Sequence, residues 1–132
     1  MSKENVEIVR RVYEAVSANL EVPTELLDPD YEFVDTDMAP AMGVIRGRDA
    51  VQEALRDYWE TFDDFRVDLK EVLHADDDHV VTAVQDGGRM KGTDTQVWNR
   101  LFHVWTFGDG KAVRTSAHTD KERALEAAGL GA

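Results

Sequence analysis

The chain has 132 residues, with 27 acidic against 15 basic side chains, a formal net charge of -12 and no cysteine. That length suits one domain with its own core, and the lack of Cys removes disulfides, thiolate nucleophiles and cysteine metal sites. A pI of about 4.6 with no basic run repels phosphate backbones and anionic headgroups, so neither nucleic acid nor a membrane is an expected partner.

Met1 to Leu20 mix charged and apolar residues without an apolar h-region, unlike a signal peptide. No stretch approaches the roughly 20 apolar residues of a bilayer span, and a cytoplasmic location is expected. In the opening segment Val6, Val9, Tyr13, Val16 and Leu20 recur at spacings of three and four, which predicts an amphipathic helix. Ser2 with Asn5 or Glu4 supplies a start signal, and Pro23 stops continuation. Thr24 is placed as the N-cap of a short helix ended by Pro29.

From Tyr31 the period becomes two: Tyr31, Phe33, Asp35 and Asp37 share one strand face, and Glu32, Val34 and Thr36 the other. Met38 to Gly47 reads as a loop, with Asp49 as N-cap of a helix to about Phe62 that carries Val51, Leu55, Tyr58 and Trp59 on its apolar stripe. Phe65 to Ala75 and His79 to Asp86 alternate around a turn at Asp76, Asp77 and Asp78. Gly87 and Gly88 mark a bend or a second turn. Gln96 to Phe107 is a long strand with Asn99, Leu101, His103, Trp105 and Phe107 on one face and Trp98, Arg100, Phe102 and Val104 on the other. After the Gly108–Gly110 turn, a last strand runs from Ala112 to about Thr119, and Asp120 caps a short helix ending at Gly129.

This order, helices early and four consecutive antiparallel strands late, predicts an α+β fold with helices on one face of a curved sheet. No repeat or linker divides it, so a single domain over 1–132 is expected. The four histidines fall on separate strands or turns with no ligand spacing, and the Gly-rich pieces carry no phosphate-binding pattern. Neither a metal nor a cofactor is expected.

The blocks ENVEIVRRVYEAVSAN, LLDPDYEFVD, IRGRDAVQEALRDYWETFDDFRV, FHVWTFGDGKAVR and HTDKERALEAAGL together resemble a SnoaL-like member of the nuclear transport factor 2 superfamily, relatives of ketosteroid isomerases and polyketide cyclases. The resemblance implies a cone: a strongly bent antiparallel or mixed sheet around the long first helix, enclosing an apolar pocket. It also implies a homodimer through the outer sheet face.

Strand parity sets Asp35 beside Tyr31 and Phe33, and the resemblance puts it where the isomerases keep a general base. His103 shares its face with Leu101, Trp105 and Phe107, and aligns with the isomerases' oxyanion donor, a role open to an imidazole N–H. It also reads as a core histidine satisfied by a neighbour. Tyr13 falls one position after the isomerases' helix tyrosine, so their two-donor oxyanion hole is not expected. Asp120, where SnoaL-type cyclases keep an acid/base aspartate, is explained by capping, and Arg100 lies on the face opposite His103, against an epoxide-hydrolase relay.

The expected activity is cofactor-independent isomerisation or cyclisation of a hydrophobic substrate by proton abstraction next to a carbonyl. Asp35 and His103 are the catalytic candidates, and Tyr13, Tyr31, Phe33, Trp59, Trp105 and Phe107 the substrate contacts. The alternatives are a non-catalytic ligand carrier and an interaction module acting through Trp98 and Phe102.

Overall fold

A computed structural model describes residues 2–35 and 43–130. The first helix, α1, spans Ser2–Asn19, and a single 3₁₀ turn, Thr24–Leu26, leads into β1, Leu27–Asp35. Then come β2 (Gly43–Arg46), α2 (Arg48–Trp59), β3 (Arg66–Ala75), β4 (His79–Arg89), β5 (Gln96–Gly108), β6 (Lys111–His118) and α3 (Lys121–Ala127). The six strands form one mixed sheet in the order β2-β1-β6-β5-β4-β3. Among the described residues only the β1–β6 pair is parallel. The chain is the expected α+β fold, with α1 laid against β3, β4 and β6.

The apolar stripe of α1 explains that docking. Val9, Val12, Tyr13 and Val16 are buried in the main core with Val80, Val84, Leu101 and Trp105 of the sheet. Polar side chains pin the helix at both ends. Asn5 is buried and donates to the carbonyls of Asp76 and Asp77 at 3.2 and 3.1 Å, so it tethers the β3–β4 turn. Ser17 exchanges hydrogen bonds with the backbone of Val67.

Several boundaries differ from the sequence reading. The strand expected from Tyr31 begins at Leu27 and runs through Pro29. Its register with β6 shifts between Leu27 and Glu32, and such an irregular stretch tolerates a residue with no ladder N–H. Thr24 is no N-cap: Pro23 holds that position and no side chain caps the turn. Gly47 likewise precedes α2, placing Asp49 inside its first turn, where its charge favours the helix dipole. Part of the expected loop before it is β2, paired with β1; Asp37 and the rest of that loop's start lie outside the described residues.

Gly87 and Gly88 make a bend within β4, not a turn, since the strand continues paired with β5 through Arg89. Both have positive φ, and a Cβ on Gly87 would stand 1.9 Å from the Val97 carbonyl oxygen. Only glycine lets the two strands approach so closely there.

The helices do not all share one face. Val80 and Trp105 pack inward with α1, whereas their neighbours Val81 and Val104 form a second cluster with Ala124 and Ala128 at the C-terminal end. Strand alternation puts these two sets on opposite faces, so α3 covers part of the outer face, Phe102 included. Asp120 caps it as expected, accepting from the Glu122 N–H at 2.8 Å.

Candidate functional site

Between α1, α2 and the concave sheet lies a cavity of about 280 Å³. Of the expected contacts, Tyr13, Tyr31, Phe33, Trp59 and Trp105 line it, as do Asp35 and His103. Phe107 does not: it is buried in the core past a register shift after Thr106, two residues beyond Trp105 toward the β5–β6 turn. Asp35 ends β1 opposite Gly43 and Ala117 and is only 4% exposed.

His103 belongs to a network centred on the Tyr13 hydroxyl. That oxygen lies 2.8 Å from His103 Nδ1 and 2.8 Å from Thr82 Oγ1, and accepts from Trp105 Nε1 at 2.9 Å. The pairing of β4 with β5 sets Thr82 opposite His103, and Tyr13 reaches both from the helix. Burial, with the nearby charge of His118 second, pushes the His103 imidazole down to about 4, so it is neutral at pH 7. Burial raises the phenols of Tyr13 and Tyr31, which remain neutral; Tyr31 donates to Thr115.

A second polar cluster was not read from the sequence. Asp86 lines the cavity at 7% exposure. The side-chain amide of Asn99 donates to Asp86 Oδ1 and to the Tyr58 hydroxyl, both at 3.3 Å, and the Tyr58 hydroxyl stands near enough to Asp86 to favour its charged form. Burial pushes this carboxyl up to about 6, against the opposing pull of Asn99 and Tyr58. Each member carried a partial signal: Asn99 shares the His103 face, Tyr58 lies on the helix stripe, and Asp86 continues the inward alternation of Val80, Thr82 and Val84. What no local pattern supplies is the register that sets Asp86 opposite Asn99.

Among the described residues, no three His, Cys, Asp or Glu gather as a metal-ligand set, and no helix is long and apolar enough to cross a membrane.

The model of the SnoaL-like domain family matches residues 9–115. The chain belongs to the SnoaL-like family. Solved structures agree on the fold. This SnoaL-like chain is 23% identical to Bal32a from a soil-derived mobile gene cassette, with 89% of each chain covered and a TM-score of 0.76. A protein of ketosteroid isomerase-like fold from Catenulispora acidiphila DSM 44928, in complex with trimethylamine, is 19% identical, with 94% of this chain and 93% of that one covered and a TM-score of 0.72. A protein from Jannaschia sp. CCS1 assigned as a SnoaL-like polyketide cyclase is 17% identical over 96% of this chain and 92% of that one, with a TM-score of 0.73. At such identities the likeness concerns the fold alone. No curated relative matches the sequence.

Proposed function

We propose that this SnoaL-like domain binds a hydrophobic small molecule and isomerises or cyclises it without a cofactor, by removing a proton next to a carbonyl. One observation carries the reading: Asp35 and His103 face a single cavity whose other walls, Asp86 and Thr115 apart, are aromatic and aliphatic. Asp35 acts as the base. A neutral His103 polarises the carbonyl through Nε2–H, the tautomer in which Nδ1 accepts from Tyr13. With its oxygen accepting from Trp105 and its proton engaged by His103, Tyr13 orients the imidazole and does not itself serve the oxyanion.

The test is conversion of a bicyclic β,γ-unsaturated ketone to its conjugated isomer, followed by ultraviolet absorbance. Asp35→Asn should slow it by about 100-fold or more while the ketone binds as in the wild type. An unchanged rate in that variant rules out Asp35 as the base.

The closed network around Tyr13 favours a second reading, a non-catalytic ligand carrier in which His103 is structural. Under it, neither Asp35→Asn nor the wild type turns over any ketone that the cavity binds.

We also propose a homodimer through the part of the outer sheet face that α3 leaves open. Its support is Trp98, 36% exposed, with the Arg66 guanidinium stacked 4.9 Å from its ring centroid. Trp98→Glu should move the light-scattering mass from dimer to monomer; a wild-type monomer removes the interface.

A further inference from the structure

Two carboxylates line the cavity, Asp35 and Asp86, and Asp86 has no part in the chemistry proposed above. Its partners, Asn99 and Tyr58, are both neutral, and among the described residues lining the cavity there is no lysine or arginine. A carboxylate offers about four lone-pair sites, of which the Asn99 amide takes one and the Tyr58 hydroxyl stands near another. A buried carboxylate short of donors in an apolar cavity is in an unfavourable state that a ligand's N–H or O–H relieves. Tyr58 comes from α2 and Asn99 from β5, so Asp86 is braced from two elements and meets its ligand in a set orientation.

We propose that Asp86 is the specificity-determining anchor of the cavity, accepting a hydrogen bond from a hydroxyl or ammonium group carried on an apolar ligand body. This rests on the small-molecule reading of the pocket and adds the ligand's chemical class: an aromatic or polycyclic molecule with a donor, not an anion. Raised by burial to about 6, the carboxyl is largely ionised near neutral pH and the contact is charge-assisted. The Tyr13 hydroxyl cannot take this role, because Trp105, Thr82 and His103 already surround it.

Calorimetric titration of the full chain near neutral pH with 2-naphthol, 2-naphthylmethylamine and 2-methoxynaphthalene tests the anchor. The wild type should bind at least one of the two donors about tenfold or more tightly than the ether. A tighter amine identifies ammonium as the preferred donor, and a tighter naphthol identifies hydroxyl. Asp86→Asn should bring donor and ether to within about threefold of each other with ether affinity unchanged, while Tyr58→Phe, which keeps the carboxylate, should retain the preference.

Ether binding as tight as both donors in the wild type overturns the anchor without any variant, and so does an undiminished preference in Asp86→Asn. Both results leave the pocket reading intact. If none of the three binds, the pocket reading falls and the anchor with it.

Discussion

The cavity has two polar ends built on opposite principles. Around Tyr13 of α1, one hydroxyl serves three side chains, Thr82 of β4 and His103 and Trp105 of β5, and every member is neutral near pH 7. Around Asp86, two neutral side chains, the donor Asn99 and the nearby Tyr58, meet one buried acid. A satisfied neutral network in a low-dielectric interior stiffens the wall it belongs to, whereas a buried charge with too few donors weakens the fold and reserves binding capacity. The lesson is one of division of labour within a single wall: the first end holds α1 to the sheet, and the second is held ready for something else.

The largest effect that separates the two ends is expected from Tyr13→Phe. Removing one hydroxyl strips the indole N–H of buried Trp105 of its acceptor and takes a partner from fully buried Thr82. A loss of about 3 kcal/mol of stability is expected by urea unfolding. A loss below about 1 kcal/mol would mean that this end is not the stiff one.

Asp86→Asn should move stability the other way, and the pH dependence follows from the sign of the shift. The folded-state carboxyl titrates near 6, above its ordinary 3.8, so its stabilising contribution is complete below about pH 4 and is lost as pH rises through 6. Asp86→Asn should therefore gain about 2–3 kcal/mol over the wild type at pH 7 and little at pH 4. His103 works in the opposite direction: lowered from 6.5 to about 4, it contributes stability above 6.5 that is lost as pH falls through 4. In the wild type the two slopes oppose each other between about pH 4 and 6.5, so their joint effect is small. Asp86→Asn should uncover a steady rise of stability with pH in that window. A flat profile in that variant would contradict the assignment of the two titrations.

Much of the pocket was legible in the residues. Alternation in Tyr31–Asp35 and Leu101–Trp105 places Tyr31, Phe33, Asp35, His103 and Trp105 inward, and all five line the cavity. Tyr13 and Trp59 follow from helical stripes in the same way. Phe107 obeys the same alternation and still misses the cavity, because parity gives the face of a strand and not the distance along it. Asp49 and Thr24 looked like caps, being the polar residues nearest each helix start, but a glycine and a proline hold those positions.

By itself the sequence determined the order of helices and strands, the apolar stripes and the inward face of each strand, since these depend on neighbours within a few residues. Tertiary structure alone decided that α3 sits on the outer face. It also decided that Tyr58, Asp86 and Asn99, from a helix and two strands, meet at one end of the cavity. Their meeting depends on inter-strand register and on where α2 docks, both set by packing between residues distant in the chain.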